Sequence, residues 1–333
     1  MQRSNIILGH GAGGSLSSEL IKNIILRYFK HPTLKRLEDA AGLAPLRGKI
    51  AFTTDSYVIH PIFFPGGDIG KLAVCGTVND LAMKGAIPQY LSFSCIIEEG
   101  FPITDLVRIL RSAARTAQRA GVAIVCGDTK VVERGSADKI FITTSGLGTI
   151  RMSVGNEKIR IGDKIIISGT IGDHGIALIN KRLNLGLRTT IRSDCAPLNL
   201  LTSTLADHAR SIHCMRDPTR GGVASVLNET ITGRRFGIML EEKQIPIRKQ
   251  VKGASDILGI DPLYIANEGK LLAFVAPGAA TRILKCIRQH PFGRSAAIIG
   301  EVVQKPQGVW MRTLIGGTHP LLLLEAEGLP RIC

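Results

Sequence analysis

Apolar residues in the first half of the chain recur at the spacings of helices and strands. Where they fall three or four residues apart they predict helices, at 15–28, about 70–83 and about 104–120. Shorter apolar runs predict strands at 50–54, 122–126 and 139–150. Gly121 follows the third helix and is a residue type that commonly ends helices. We therefore expect residues 1–150 to form one α/β domain.

A polar stretch at 151–163 precedes a second pattern of the same kind. It predicts a helix at 174–182 and strands at 164–168, 271–276, 297–303 and 309–314. Before a further helix, which we expect to end near Thr232, Asp217 is predicted as the N-cap and Pro218 as the first helical residue. The sequence thus predicts a second α/β domain at 151–320 and a tail at 321–333.

Composition narrows the function classes. A length of 333 residues with 44% hydrophobic residues suits two ordinary domains. The net charge of +15 could attract acidic partners, but Lys and Arg are spread along the chain and aromatics make up only 5%. We predict no nucleic-acid partner, and the meaning of the charge stays open.

The cysteines and the N-terminus indicate a compartment. Seven cysteines without a Cys-x-x-Cys pair predict neither a disulfide framework nor a zinc site. We find no signal peptide pattern and no apolar run long enough to span a membrane. The sequence therefore predicts a cytoplasmic protein without a membrane partner.

A glycine-rich segment precedes the first predicted helix. Gly9-His10-Gly11-Ala12-Gly13-Gly14 matches G-x-G-x-x-G, which occurs in dinucleotide-binding folds. The preceding apolar run is short, and a loop rather than a second parallel strand follows the helix. Small residues before a helix can also bring backbone N–H groups around phosphates. A purely structural turn remains an alternative.

Four aspartates, Asp39, Asp55, Asp80 and Asp128, lie at the edges of apolar segments. Clustered carboxylates repel one another unless a cation lies between them, and hard oxygen ligands suit Mg²⁺. Beside a glycine loop, this pattern favours a magnesium–nucleotide site. The alternative is helix capping and turn formation, which is the commoner role of a single aspartate.

Three further residues are candidates for chemistry. Lys130 could neutralise phosphate charge or bind a substrate oxygen, although a solvated lysine is equally consistent with the pattern. Glu268, in Asn267-Glu268-Gly269, could act as a general base if desolvated, or could simply lie in a turn. Cys333, the last residue, could carry a covalent cargo on its thiol or belong to a frayed end.

Taken together, these segments resemble one protein family. The similar stretches include Gly9–Gly14, Thr53–Ser56, Pro65–Ala73, Val78–Ala86, Gly127–Gly135, Gly169–Gly175, Met215–Gly222, Asp261–Lys270 and the terminal Pro330–Cys333. In this order they resemble the HypE family of carbamoyl dehydratases, hydrogenase maturation factors of the AIR-synthase-like (PurM-like) ATP-binding superfamily.

The resemblance implies a fold, a reaction and partners. The fold would be a homodimer of two-domain chains, with the N-terminal sheets pairing across the interface and a flexible C-terminal tail. A carbamoyltransferase, HypF, would load Cys333, and ATP with Mg²⁺ would drive dehydration of the S-carbamoyl group to a thiocyanate. The cyanide would pass to iron on the HypC–HypD complex for [NiFe]-hydrogenase.

The resemblance also implies roles for individual residues. It assigns the metal to Asp39, Asp80, Asp128 and Asp217. It assigns nucleotide contacts to Gly11, Gly13, Gly14, Thr54, Asp55 and Asn79. Lys130 and Glu268 would act on the carboxamide that Cys333 carries. The chain departs from related synthetases at Ser15 and Leu16, where those enzymes place a phosphate-contacting lysine after the glycine loop.

Two other functions compete with this one. Another PurM-like kinase or synthetase would not need Cys333. A non-catalytic maturation scaffold would bind partners without hydrolysing ATP, and would tolerate Asp80→Asn.

Overall fold

Two sheets organise the molecule. The computed structural model describes residues 4–186, 190–324 and 331–332. A six-stranded sheet lies in the first 150 residues and a seven-stranded sheet after residue 160. Helices pack on both sheets, which confirms the predicted mixed α/β fold. Within the described ranges, none of the helices combines the length and apolar composition that a bilayer crossing needs.

The first unit is built around a long central strand. Its described strands are β1 (Ile50–Tyr57), β2 (Phe63–Phe64), β3 (Gly67–Asp68), β4 (Ala86–Ser92), β5 (Ser94–Glu98), β6 (Ala123–Cys126), β7 (Thr129–Val132) and β8 (Ile140–Ile150). Its helices are α1 (Ser15–Leu20), α2 (Leu26–Tyr28), α3 (Pro32–Lys35), α4 (Ile69–Met83) and α5 (Ile103–Ala120). The sheet runs β6-β4-β8-β5-β7, and β1 pairs with β8. β1 is therefore an edge strand whose two faces meet different surroundings.

Strand β1 separates the core from an exposed sheet face. Ala51 and Tyr57 are buried beneath the strand, whereas Ile50 and Phe52 on the other face are 52% and 67% exposed. Since side chains alternate along a strand, Asp55 shares the face of Tyr57 and points toward α4. We call the opposite side, which carries Phe52, the outer face.

Helix α4 joins the two units. It packs on β1, β8 and α5, and nearly all of its side chains are buried. At its C-terminal end, Ala82 and Met83 belong to the same apolar cluster as Leu198 and Met215 of the second unit. The helix therefore places the side chains of its last turns at the junction between the units.

The second unit has its own sheet and helices. Its described strands are β9 (Lys164–Ile167), β10 (Ile212–Arg216), β11 (Gly237–Glu241), β12 (Leu272–Val275), β13 (Ala297–Val303), β14 (Gly308–Arg312) and β15 (Thr318–Pro320). Its helices are α6 (Asp173–Leu183), α7 (Asn199–Ser203), α8 (Gly222–Thr230), α9 (Lys249–Leu258) and α10 (Ala280–Gln289). The sheet order is β10-β12-β9-β13-β11-β14-β15, with β11 and β14 parallel and the other neighbours antiparallel.

Most predicted elements are present with shifted ends. The helix predicted at 15–28 is continuous, although Ile21–Ile25 form a π turn between α1 and α2. Gly121 ends α5 with φ 69°, as expected of a C-terminal glycine. Strand β1 continues to Tyr57, beyond its predicted end. Among the described elements, the predictions missed strands β2, β3, β4, β5, β7, β10, β11 and β15 and helices α3, α7, α9 and α10.

Candidate functional site

A cleft of about 610 Å³ opens between the two units. On the side of the first unit, β1 contributes Asp55 and α4 contributes Asp80. On the side of the second unit, Asp217 and Glu268 face the same space. These four acidic residues, all of them predicted, therefore line one cleft. The first and the last of them, Asp55 and Glu268, are 213 positions apart in the sequence.

Hydrogen bonds fix the acidic side chains of the first unit. The hydroxyl of Thr53 donates to Asp80 Oδ2 at 2.7 Å, and the hydroxyl of Tyr57 donates to Asp55 Oδ2 at 3.1 Å. Both donors come from the inner face of β1, where they can reach the last turns of α4. Burial raises the pKa of Asp80, and the Asp55 carboxylate adds to the shift.

Asp217 does not cap a helix, so that prediction is wrong. Helix α8 begins at Gly222, and Gly221, with φ 69°, occupies the N-cap position. Asp217 lies five residues before the helix, and its side chain faces the cleft. Burial raises the pKa of Asp217 to about 7, and the nearby Asp80 carboxylate contributes.

The cleft fits a hard cation by its chemistry. The pKa values of Asp55, Asp80 and Asp217 are all raised, with burial as the main cause, and a divalent cation would relieve this cost of holding carboxylates together. Among the described residues, no three His, Cys, Asp or Glu side chains are already arranged around a metal position. Oxygens of a bound phosphate would therefore have to complete the set of ligands.

Glu268 is a buried carboxyl with spare hydrogen-bonding capacity. It is 2% exposed, and its Oε1 has no hydrogen-bond partner among the described residues. Its backbone N–H donates to Asp194 Oδ1 at 3.1 Å, which fixes the segment. Burial raises the pKa of Glu268 well above its usual value, and nearby acidic groups, including Asp194 and Asp217, add to the shift. An unpartnered buried carboxyl beside a cleft is suited to bind or deprotonate a substrate.

Basic groups also line the cleft, and the sequence did not predict them. Arg216, at the end of β10, and Arg220, just before α8, line it on either side of Asp217 in sequence, and their charges lower the pKa values of nearby carboxyls against the effect of burial. The N-terminus of α8 starts at the same place, at Gly221 and Gly222. Guanidinium groups and a helix N-terminus both attract phosphate oxygens. The segment Asp217–Gly222 carries this signal in Arg220 and the two glycines, although its sequence predicted only a helix start and, by resemblance, a metal ligand at Asp217.

Lys130 and Asp128 lie on a different surface. They belong to the segment of β7, which is three strands from β1, or about 14 Å at the usual strand spacing. Lys130 pairs in register with Ile96, which is 43% exposed on the outer face. Its Nζ lies 3.1 Å from Asp128 Oδ2, and both side chains are well exposed. In a single chain these two residues face away from the cleft.

The glycine loop lies beside Lys130 and not in the cleft of the same chain. Gly11 packs so closely on β7 that a Cβ there would lie 2.7 Å from the backbone nitrogen of Val131. Gly13 and Gly14 are exposed, and Gly13 has φ 85°. Asp39 is also exposed, in a segment without helix or strand, and does not line the cleft.

Two predicted nucleotide contacts, Thr54 and Asn79, have hydrogen-bond partners within the chain. Thr54 lies on the outer face and donates to the carbonyl of Thr144 at 3.2 Å. Asn79 is 1% exposed; its amide donates to Ala196 O at 3.2 Å, and its oxygen accepts from Leu198 N at 2.8 Å. Asn79 therefore ties α4 to the loop before α7. Cys333 lies outside the described residues, but Ile332, the residue before it, lines the cleft.

Comparisons with known proteins show what this chain is similar to. The family models for the N-terminal and C-terminal domains of AIR synthase related proteins match residues 37–150 and 160–311. The chain is 47% identical over 337 residues to the carbamoyl dehydratase HypE of Escherichia coli (strain K12), covering 99% of this chain and 100% of that one. A crystal structure of the hydrogenase maturation protein HypE in complex with ATP superposes with a TM-score of 0.94 at 44% identity, covering 98% and 99% of the two chains. HypE in a HypE–HypF complex superposes at 0.80 with 46% identity, covering 92% and 99%.

Proposed function

The chain belongs to the HypE family of carbamoyl dehydratases, and on this premise we propose that its cleft dehydrates an S-carbamoyl group on Cys333. ATP drives the reaction, which leaves a thiocyanate and supplies the cyanide ligand of a hydrogenase iron centre. One observation carries the assignment to this cleft. Glu268, whose Oε1 has no hydrogen-bond partner in the part of the chain that the structure describes, and Ile332, the neighbour of Cys333, line the same space as the acidic and basic residues.

The reaction has two steps that the residues can support. The carboxamide oxygen attacks the γ-phosphorus of ATP, the bond to the bridging oxygen breaks, and ADP leaves. Loss of the nitrogen-bound protons then expels phosphate and forms the C≡N bond. A carboxylate with a raised pKa is a stronger base once ionised, so Glu268 is suited to accept a proton from the weakly acidic nitrogen.

The remaining cleft residues would bind the nucleotide. Arg216, Arg220 and the start of α8 would face the phosphates, while Asp80 and Asp217 would hold Mg²⁺ with Asp55 nearby. Bound Mg²⁺ neutralises phosphate charge and makes the γ-phosphorus more electrophilic. Asp55 has the Arg220 charge near it, which partly offsets the effect of burial on its pKa.

We further propose that the protein is a homodimer formed through the outer face of the first sheet. That face carries Ile50, Phe52, Ile87 and Ile96, each more than 40% exposed. A patch of large apolar side chains on one sheet face is typical of an interface. A second copy packed there would contact Lys130 and the glycine loop, which lie on the same side or at the adjoining edge.

The dimer would explain why Lys130 lies apart from Glu268 within one chain. We propose that Lys130, Asp128 and the loop Gly11–Gly14 complete the cleft of the partner subunit, where Lys130 stabilises the phosphorylated carboxamide. We propose in the same way that Asp39, in its exposed loop, is a metal ligand in the cleft of the partner subunit. Each site would then need two chains.

Mixing of two inactive variants tests this arrangement. Lys130→Ala and Asp80→Asn chains are each expected to be inactive, but a mixed dimer would contain one site with both residues intact. After equal mixing and exchange, about a quarter of the wild-type dehydration activity should return, from random pairing in a two-fold dimer. Zero recovered activity, with mixed dimers verified by mass, would place both residues in one chain's site.

The partners follow from the family. A HypF-type carbamoyltransferase would load Cys333, in keeping with the solved HypE–HypF complex. The cyanide would then pass to iron on a HypC–HypD complex. The reaction needs ATP and a reduced thiol, both of which the cytoplasm supplies, so we place it there.

Phosphate release provides the direct test of the reaction. Chains carrying a carbamoyl group on Cys333 should release one phosphate per loaded chain when Mg-ATP is added, and unloaded or Cys333→Ala chains should not. A small-molecule kinase would keep its activity in the Cys333→Ala variant, whereas a scaffold would release no phosphate in any form.

A further inference from the structure

The described segment Arg331–Ile332 lies in a binding site formed by both units. Arg331 O accepts hydrogen bonds from Arg182 Nη2 at 2.6 Å and from His60 N at 3.2 Å. His174 Nε2 donates to Ile332 O at 2.8 Å. Arg331 has φ 58°, an unusual conformation for a residue other than glycine. These contacts must therefore offset local backbone strain.

Both side chains of the segment are recognised as well. Arg331 Nη2 lies 2.7 Å from Asp138 Oδ2. Ile332 is 3% exposed and packs over α6 at Gly175, where an added Cβ would lie 3.3 Å from Ile332 Cδ1. The site thus discriminates by charge at position 331 and by shape at position 332.

Both units contribute to the receptor side, whose central side chain is buried and hydrogen-bonded. His174 is fully buried, its Nδ1 lies 2.7 Å from Ser193 Oγ, and Phe64 packs edge-on against its ring. Arg182, on the same helix, also donates to His60 O at 2.8 Å. Asp138 and His60 belong to the first unit, whereas α6 belongs to the second. Docking of the chain end therefore links the two walls of the cleft.

We propose that Asp138, His174 and Arg182 are positioning residues that hold Arg331–Ile332 and so deliver Cys333 to the cleft beside Glu268. This inference rests on the proposed dehydration of a group on Cys333. Ile332 is the last described residue before that cysteine and lines the cleft that holds Glu268. The ion pair between Arg331 and Asp138 is partly exposed, so docking can be reversible, as loading by a partner requires.

Limited trypsin digestion tests docking without using the activity. Trypsin cleaves after arginine, and a docked Arg331–Ile332 bond is protected, so the initial rate of losing Ile-Cys reports the undocked fraction. Asp138→Asn should raise this rate about twofold to fivefold, the range expected for one partly exposed ion pair. Asp138→Glu keeps the negative charge, so its cleavage rate should stay close to that of the wild type. Asp256→Asn, which removes an ion pair with Lys252 on α9, is the matched control and should have no effect.

Equal cleavage of the wild type and Asp138→Asn would overturn the proposal. A charge exchange then tests positioning during the reaction, on chains already carbamoylated at Cys333. Arg331→Glu places a negative charge opposite Asp138, and it should slow single-turnover dehydration by about tenfold. Adding Asp138→Arg re-forms an ion pair of reversed polarity, and it should restore most of the rate. Failure of the second change to rescue the first would refute the positioning role.

The two assays separate this inference from the proposed function. If loaded wild-type chains dehydrate normally but Asp138→Asn is cleaved as slowly as the wild type, the proposed receptor is wrong and the proposed function stands. If Asp138→Asn is cleaved faster but loaded wild-type chains do not dehydrate, the docking site stands and the proposed function is wrong.

Discussion

Asp217 provides a quantitative test of the electrostatics in the cleft. Its carboxyl is held near Asp80 in a buried setting, which raises its pKa from 3.8 to about 7. Between these two values the unfolded chain is ionised while the folded chain still binds a proton. Stability must therefore fall as the pH rises from about 4 to about 7, because the unfolded state binds fewer protons in this range. Asp217→Asn removes this cost without changing the shape of the side chain.

The expected gain follows from the two pKa values. Each unit of difference corresponds to about 1.4 kcal/mol, so at pH 8 the variant should be more stable by up to about 4 kcal/mol. At pH 5 only about 1.6 kcal/mol of this cost is present, since that pH lies little above the pKa of the unfolded chain. The stability difference between variant and wild type should therefore widen with pH and level off above pH 7.

Urea unfolding without divalent cations, at pH 5, 6, 7 and 8, measures this difference. Asp207→Asn, at an exposed aspartate outside the cleft, is the matched control and should show no widening. Adding Mg-ATP should stabilise the wild type and not the variant, because only the folded wild type binds the cation with full affinity. A gap between variant and wild type that is no larger at pH 8 than at pH 5 would refute the electrostatic reasoning.

Three other substitutions test separate parts of the account. Glu268→Gln should retain ATP binding but lower single-turnover dehydration by about 10²- to 10⁴-fold, the usual contribution of a general base; an unchanged rate would remove Glu268 from the reaction. Asn79→Ala should lower the free energy of unfolding by about 2–3 kcal/mol, measured in urea, since it leaves the N–H of Leu198 without its buried acceptor. Phe52→Arg should convert the dimer to monomer in sedimentation, whereas a dimer that persists would point to another interface.

Local patterns were sufficient for much of the fold. The spacing of apolar residues predicts α4 and α5 to within one residue at each end, and Gly121 ends α5 with a positive φ that glycine adopts readily. The sequence grouped Asp39, Asp55, Asp80 and Asp128 because each lies at the edge of an apolar segment, and the structure brings Asp55 and Asp80 of this group to one cleft.

Features set by distant parts of the chain were not predictable in this way. Lys130 follows Asp128 closely in sequence, but strand alternation and the register with β5 place both on the outer face. Asp217 precedes Pro218, a common pattern at helix starts, yet tertiary packing moves the start to Gly222 and leaves the carboxylate in the cleft. Neither result follows from local propensity.

The contacts of Arg331 and Ile332 were likewise not predictable from local sequence patterns. The sequence identified Cys333 as a possible carrier, but the contacts of Arg331 with Asp138 and of Ile332 with His174 join residues more than 150 positions apart. Only the folded arrangement brings the two units together around that segment.

The most direct test of the central claim is the intact mass of the protein, with mapping of the C-terminal peptide. After carbamoyl loading, Cys333 should be heavier by about 43 Da, and after Mg-ATP the gain should fall to about 25 Da as water is lost. That sequence of masses would establish both the carrier and the dehydration. A loaded Cys333 that keeps the larger mass in the presence of Mg-ATP would contradict the assignment of this chain as a carbamoyl dehydratase.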